Sequence, residues 1–262
     1  MNSLRIIRAY YSALIKEKME FRASFIFQTI VTVVGVAASY ASILIILNRF
    51  DSIGDWNSNE VLLLYSIGSL CYSVSNAVLG VPMKWLGRSA NQGELDSVLI
   101  RPVDPLLQIV LRQFSFKVAP VIMSLVVFCL VLIVMIDEIP LHLVILVPFS
   151  ILGGIFVEAA LMIMIGSLGI VFYDAKALFR FYNESLHEII KYPLNIFPTG
   201  IRLFALIIPL GFVSYVPIGC MTDHLPFGAM GMLSPVAVGI LSLAISHRVF
   251  SACISRYASS GT

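Results

Sequence analysis

The sequence predicts an all-α membrane protein with six transmembrane helices in a single domain, residues 1–262. Three observations predict this fold class: the composition is strongly apolar, several long runs lack charged side chains, and Lys and Arg are concentrated in alternate connecting segments. We also expect an amphipathic interface helix at the amino terminus, a cytoplasmic helix between spans 2 and 3, and a re-entrant outer hairpin between spans 5 and 6.

The composition excludes a water-soluble surface. Of the 262 residues, 59% are hydrophobic and 12% are charged, whereas soluble proteins carry about 25% charged residues. Most of the outside of this protein must therefore face lipid, which excludes soluble enzymes, nucleic-acid binders and disordered scaffolds. The net charge of +2, from 17 basic and 15 acidic residues, does not indicate a polyanionic partner.

The spans are predicted from apolar runs, because a bilayer core about 30 Å thick requires roughly 20 apolar residues of helix. Strands are disfavoured, since barrel strands alternate in character while the stretch Leu125 to Val134 is apolar on every side. The runs of sufficient length are Ala23 to Asn48, Val61 to Met83, Val118 to Ile136, Ile139 to Tyr173 with Glu158 inside it, Leu203 to Thr222, and His224 to Ser246.

The amino-terminal segment, residues 1–22, has the pattern of an amphipathic helix that lies in the membrane interface. A basic tail without this structure is the alternative. The apolar run that follows, through Leu47, is longer than the 7 to 15 residues of a signal peptide's apolar region, so we interpret it as a retained first span. One face of the predicted helix carries Leu4, Ile7, Tyr11 and Leu14, and the other carries Arg5, Arg8, Ser12 and Lys16.

The distribution of basic residues sets the orientation, because Lys and Arg accumulate in cytoplasmic loops. Residues 1–22 and the second loop, 84–117, are rich in Lys and Arg, whereas the first and third loops are mainly acidic. We therefore expect residues 1–22, the second loop and the carboxyl terminus to be cytoplasmic. Six spans satisfy this arrangement.

The fifth span is ambiguous. On a helix from Ala175 to Tyr192, one face carries Lys176, Arg180, Glu184, Glu188 and Lys191, and each charge costs a few kcal/mol in a bilayer. The segment is therefore either a cytoplasmic surface helix, with Leu203 to Thr222 as the fifth span, or a span whose charged face packs on neighbouring helices. The second arrangement makes residues 193–224 a re-entrant outer segment. Hydropathy favours the first arrangement.

The sequence lacks the motifs of common active sites. No glycine precedes a lysine, so the nucleotide-binding loop GxxxxGK[ST] is absent, as are HExxH, GxSxG and GxGxxG. The four histidines are scattered, and the four cysteines lie in apolar stretches without a CxxC pair. We therefore expect no catalytic residue, metal site or cofactor.

The second loop carries a short amphipathic pattern. Leu95, Val98 and Leu99 share one side of a helix that begins after Gly93 and ends at Pro102, with Glu94 and Asp96 in its first turn, where anions are favoured. Such a helix either docks a partner or only covers the ends of the spans.

Two segments resemble the type 2 ATP-binding-cassette (ABC) exporter permeases. The run Gly93-Glu94-Leu95-Asp96, followed by Leu99 to Pro102, resembles that family's GTLE.LL..P signature, with Glu94 in place of the usual Thr. The second segment resembles the YPxxIFP…R…P…YxP pattern of one bacterial branch. Its matching residues are Tyr192, Pro193, Phe197, Pro198, Arg202, Pro209, Tyr215 and Pro217.

The resemblance implies a bacterial inner-membrane permease subunit with both termini in the cytoplasm. Such a subunit pairs with a second permease, identical or paralogous, contacts membrane lipid, and uses a separate ATPase subunit because it is not itself an enzyme. The resemblance also favours the spanning arrangement of Ala175 to Tyr192, which we adopt. The residues implied to couple to the ATPase are Gly93, Glu94, Leu95, Asp96, Val98, Leu99, Arg101 and Pro102.

The candidates for the pathway or for helix contacts are Glu158, Arg180, Glu184 and Glu188. Glu158 lies inside the long fourth apolar stretch, where a carboxylate either pairs with Arg180 or another neighbour, or lines a translocation pathway. The predicted function is outward, ATP-driven transport. An ion-coupled secondary transporter that uses Glu158 and the charged fifth helix, and a non-transporting membrane scaffold, are the alternatives.

Overall fold

A computed structural model describes residues 22–49, 52–113, 118–172 and 175–257. The predicted interface helix, residues 1–22, lies outside the described residues. The chain divides into two compact units, Met1–Ile45 and Ile46–Thr262. Most of the first helix, α1 (Arg22–Arg49), belongs to the first unit.

The second unit begins with a short β-hairpin that the all-α prediction omits. Strands β1 (Ser52–Ile53) and β2 (Trp56–Asn57) pair antiparallel, with Ile53 opposite Trp56. The two-residue turn between them starts at Gly54, whose φ of 62° favours glycine and the tight hairpin turn. The helices that follow are α2 (Ser58–Ser89), α3 (Asp96–Leu99), α4 (Pro105–Arg112), α5 (Val118–Met135), α6 (Leu141–Val144), α7 (Val147–Phe172), α8 (Ala175–Phe181), α9 (His187–Ile189), α10 (Thr199–Ile207), α11 (Tyr215–Met221) and α12 (Gly228–Ser255).

Shorter helical turns connect several of these elements. A 3-10 turn, Ala90–Gln92, follows α2, and two others, Leu194–Ile196 and Leu210–Phe212, flank α10. A π-helical segment, Tyr182–Leu186, joins α8 to α9, so residues 175–189 form one helical stretch.

Within the described residues, five helices are long and apolar enough to cross a membrane. They are Thr29–Leu47, Ser58–Ser89, Val118–Met135, Leu141–Phe172 and Gly228–Ser255. These helices confirm an all-α membrane protein at the level of fold class, and each overlaps one of five predicted apolar runs. The last predicted span, His224 to Ser246, begins and ends too early: the helix starts at Gly228 and continues past Arg248 to Ser255.

The second loop also begins later than predicted. Helix α2 continues through Lys84 and Arg88 to Ser89, and its 32 residues measure about 48 Å at about 1.5 Å per residue. Because this exceeds a bilayer core of about 30 Å, α2 must tilt, bend or project beyond the core. The loop proper therefore starts at Ala90.

The second unit is built around α7, which packs against α2 on one side and α12 on the other. Small residues permit these close contacts. A Cβ added at Gly153 would overlap the backbone of Pro235 and Val236 on α12, and one at Gly166 would lie 2.9 Å from the Cβ of Met83 on α2. Near Gly153, Ser150 donates a hydrogen bond of 2.6 Å to the Met232 carbonyl oxygen on α12.

We expect Gly153→Ala to destabilise the protein, because its methyl group has no room between the α7 and α12 backbones. Overpacking costs about 1–3 kcal/mol, so thermal unfolding in detergent should begin at a lower temperature. Gly200→Ala is the matched control, since a Cβ at Gly200 meets no atom within 4 Å. Equal unfolding temperatures for the two variants would contradict the close-packed α7–α12 contact.

Candidate functional site

The segment after α2 folds into a compact unit at the end of that helix. Gly93 adopts φ 70°, a left-handed conformation that ends the 3-10 turn and redirects the chain into α3. Asp104 then caps α4 by accepting a 2.8 Å hydrogen bond from the Leu107 N–H, and Pro105 occupies the first turn. Helix α4 packs against both α2 and α3.

This packing corrects the predicted docking face. Leu95 and Val98 are buried together with Ile109 of α4, and Leu99 is half-buried. The hydrophobic effect favours covering these side chains within the chain itself, so Leu95 and Val98 do not face outward as we had predicted. Asp96 lies in the first turn of α3 as expected, whereas Glu94 precedes the helix and accepts a 3.1 Å hydrogen bond from Trp85 Nε1.

The side chains of this segment that do face outward follow α3 in the chain. The side chain of Ile100 is 83% exposed and that of Val103 is 52% exposed, with Arg101 and Pro102 exposed between them. We call Ile100, Arg101 and Val103 the loop face. The sequence pattern missed Ile100 because it was assigned to a continuing helix, whereas α3 ends at Leu99, three residues before Pro102.

A buried polar cluster surrounds Glu158 of α7, which is 0% exposed. The Tyr182 hydroxyl donates a hydrogen bond to Glu158 Oε2, and His187 Nδ1 lies 3.7 Å from Oε1. Tyr72 of α2 completes the cluster: its ring centroid is 4.0 Å from that of His187, and its hydroxyl donates a 2.8 Å hydrogen bond to Asn183 Oδ1.

Of the partners considered for Glu158, Arg180 is excluded because it is exposed, whereas other neighbours, Tyr182 and His187, do lie at the carboxyl group. Sequence reasoning missed these partners because they come from different elements. Tyr182 and His187 are also five residues apart, a separation that does not place two side chains on one face of an α-helix.

The charged side chains of residues 175–189 lie on the opposite side from this cluster. Lys176, Arg180, Glu184 and Glu188, which we call the charged stripe, are all exposed. The prediction that this face packs on neighbouring helices is therefore wrong for the described part of this chain. The face that does pack carries Phe179, Tyr182, Leu186, His187 and Ile190, which are buried.

The stretch from Phe179 to Lys191 runs antiparallel to α2 and alongside it. Near the carboxyl end of α2, Lys84 Nζ lies 5.9 Å from the Phe179 ring centroid, and further back Tyr72 bonds Asn183. Near the start of α2, Lys191 Nζ lies 5.7 Å from the ring centroid of Tyr65. As helix, the stretch from Phe179 to Lys191 rises about 18 Å, which is more than half of a bilayer core about 30 Å thick.

The segment 193–224, for which a re-entrant hairpin is predicted and which we call the hairpin, contains two short helices, α10 and α11, with a break between them. Helix α10 ends at Ile207 and α11 begins at Tyr215, with a 3-10 turn at Leu210–Phe212 between them. The alternative of one continuous span from Leu203 to Thr222 is therefore wrong, and Pro209, which lacks an N–H, lies in the break.

The motif residues of the hairpin have distinct positions. Pro198 precedes α10, Pro217 lies inside α11, and Tyr192 and Phe197 are half-buried on either side of the buried Leu194. Arg202 donates a 2.9 Å hydrogen bond to the Asn195 carbonyl oxygen. Ser214 ties the hairpin to the preceding stretch by donating a 2.7 Å hydrogen bond to the Ile190 carbonyl oxygen.

The first loop contacts this hairpin through aromatic and charged side chains. The Trp56 ring stacks on His224 at 4.4 Å and lies 5.7 Å from Tyr215. His224 Nε2 is 3.0 Å from Glu60 Oε2, while the Glu60 carboxylate also accepts the Asn57 N–H at the start of α2. Trp56, Glu60, Tyr215 and His224 form what we call the end cluster. It lies at the end of α2 opposite the loop face.

Among the described residues, no group of three or more His, Cys, Asp or Glu side chains is placed to hold a metal ion. The arrangement offers contact surfaces and a buried polar cluster.

Comparison with known proteins identifies the family. A family model described as ABC-2 family transporter protein matches residues 33–261. No curated protein and no solved structure matches the chain significantly. Because the matched region covers most of the sequence, and the fold is that of a multi-pass helical membrane protein, the chain belongs to the ABC-2 family of transporter proteins.

Proposed function

We propose that this chain is the permease subunit of an ATP-driven exporter, which moves its substrate outward with energy from a separate ATPase subunit. ABC-2 family permeases generally work with an ATP-binding subunit. The geometric observation that supports the proposal is the loop face: Ile100 and Val103 are exposed next to Arg101 on a compact folded unit beyond the end of α2. Exposed apolar side chains on such a unit are typical of a protein contact.

The proposed topology has six crossings, with residues 175–191 as the fifth and 193–224 as a re-entrant hairpin on the outer side. The antiparallel course of Phe179 to Lys191 alongside α2, over about 18 Å of helix, supports a crossing. The contact of the hairpin with Trp56 and Glu60 supports its placement on the same side as the first loop. The basic residues of the second loop favour a cytoplasmic loop face and cytoplasmic termini, in a bacterial inner membrane.

The charged stripe supports a second permease as partner. Four charged side chains on an exposed helix face are costly in lipid, whereas a protein interface or a water-filled cavity tolerates them. We infer that the stripe faces a second copy or a paralogue, with the pathway alongside it.

The alternatives have less support. An ion-coupled secondary transporter that uses Glu158 is disfavoured, because Glu158 is fully buried and bonded to Tyr182. The exposed charged stripe alone does not separate such a transporter from an exporter. A scaffold without transport activity does not explain the loop face. Isolation of the tagged chain from its native membranes in mild detergent tests the proposal: an ATPase with the GxxxxGK[ST] loop should co-purify, and an export defect should follow deletion of either subunit. A purified chain without such an ATPase would contradict it.

We expect the double change Ile100→Asp and Val103→Asp to weaken ATPase binding about a hundred-fold or more. Burial of each apolar side chain contributes about 1.5–3 kcal/mol, and about 1.4 kcal/mol is a tenfold change in affinity. The measurement is the amount of ATPase that co-purifies with equal amounts of permease.

The control for this change is Leu141→Asp, which places the same charge on an exposed side chain of α6 next to the third loop. It should leave ATPase binding intact. Full retention of the ATPase by the double variant would rule out the loop face as the docking site.

We expect Thr199→Cys to react with a membrane-impermeant maleimide from outside intact cells, because Thr199 is exposed at the start of the proposed outer hairpin. A Cys129→Ala background removes the exposed native cysteine. Ser97→Cys, at the exposed edge of α3, should react only after the cells are permeabilised. The reverse pattern at the two positions would show that the proposed topology is inverted.

A further inference from the structure

The cluster around Glu158 depends on an unusual helix geometry. Tyr182 and His187 both approach the Glu158 carboxyl group, although they are five residues apart in one helical stretch. On an α-helix, which turns about 100° per residue, these two side chains would lie about 140° apart. Only one of them could then contact Glu158.

The π-helical segment removes this conflict. The His187 N–H donates to the Tyr182 carbonyl oxygen, which is the i to i+5 hydrogen bond of a π-turn. Because a π-turn holds more residues than an α-helical turn, the angle around the helix axis between residues i and i+5 is smaller than in an α-helix. Tyr182 and His187 therefore reach the same side of the helix.

The same turn changes where Lys191 lies. Lys191 lies in the turn just after α9, and its N–H donates a 3.2 Å hydrogen bond to the Glu188 carbonyl oxygen, so its position follows that of α9. If the stretch were α-helical from Tyr182 as far as Lys191, Lys191 would lie on the side opposite Tyr182 and would extend the charged stripe. In the structure its side chain is only 16% exposed, and the ammonium group pairs with the Glu188 carboxylate and lies 5.7 Å from the Tyr65 ring centroid on α2. With the π-turn, His187 lies on the packed side and the Lys191 side chain turns toward Tyr65, so only its ion pair with Glu188 links Lys191 to the charged stripe, and Glu188 stays exposed.

Polar contacts to Glu158 favour this geometry. The buried carboxyl accepts the Tyr182 hydroxyl on Oε2, whereas Oε1 and His187 Nδ1 are both buried, face each other at 3.7 Å and have no other polar partner among the described residues. The neighbouring ionisable groups are Tyr72 and Cys71 of α2. In a helix interior without Glu158, a π-turn has poorer packing than an α-helix and is rare.

We propose that Glu158 is a positioning residue that holds residues 182–187 in the π-turn. It thereby fixes which side chains belong to the charged stripe: Lys176, Arg180, Glu184 and Glu188 stay on it, and His187 and Lys191 are kept off it. Loss of the Glu158 contacts returns the segment to an α-helix and rotates Lys191 onto the stripe. The inference rests on the proposed function only in taking the stripe as the surface toward the partner or pathway.

The test measures the accessibility of position 191. Lys191→Cys is introduced into the Cys129→Ala background, and its reaction rate with a maleimide is measured on purified protein in mild detergent, so that the result depends on neither topology nor ATPase binding. Glu188→Cys, made in a separate protein, is the matched reference, because this position is exposed in the π-turn and remains so in an α-helix.

Glu158→Leu should raise the reaction rate of the cysteine at position 191 several-fold and leave the rate at position 188 unchanged. Glu158→Gln keeps an acceptor oxygen for Tyr182, so it should preserve the low rate at position 191. Ser167→Ala, which removes a buried hydroxyl bonded within α7 itself, should also preserve it.

Three results would overturn the proposal. One is an unchanged rate at position 191 in Glu158→Leu. Another is an equal rise in Glu158→Gln or Ser167→Ala, since the effect would then not depend on the carboxyl acceptor. The third is a rise at both positions, 191 and 188, which would mean that the segment unfolds instead of rotating.

Discussion

The direct contact between the backbones of α7 and α12 is the constraint on which the rest of the second unit depends. Lipid is as apolar as a leucine side chain, so membrane helices gain little from hiding such side chains from it. They associate through close packing and hydrogen bonds instead. Gly153 and Gly239 provide the close approach, and Ser150 adds a bond across it. With α7 fixed in this way, Glu158 is held at the depth where Tyr182 and His187 can reach it.

The polar side chains of the second unit lie in two opposite environments, one buried and one exposed. Around Glu158 they face inward and pair with each other, as buried polar groups must when no water is present. On residues 176–188 they face outward without cover from the described part of the chain. A single helical stretch thus presents one face that packs within the chain and another for which we propose a partner subunit. This division is the strongest indication that the chain works as part of an assembly.

The sequence predicted the helices well because long apolar runs are a direct consequence of bilayer thickness. It also identified the second loop and the hairpin as the informative segments. It failed where the answer depended on contacts between distant residues. Leu95 and Val98 fit the apolar face of an amphipathic helix, which suggests a partner. In the structure α4 of the same chain packs against α3, and both side chains are buried. The approach of both Tyr182 and His187 to Glu158 required a π-turn, which has no periodic signal. The β-hairpin of β1 and β2 is too short to show alternation.

The length of α2 has a mechanical consequence. Its capped first turn is tied to His224 through Glu60, and its last turns carry Trp85, which holds Glu94 beside the loop face. A hydrogen-bonded helix bends far less readily than a loop, and in α2 the regular bonding is interrupted at Pro82, close to the last turns. Helix α2 thus connects the end cluster and the loop face through a single element, and its glycine contacts with α7 lie between the two ends.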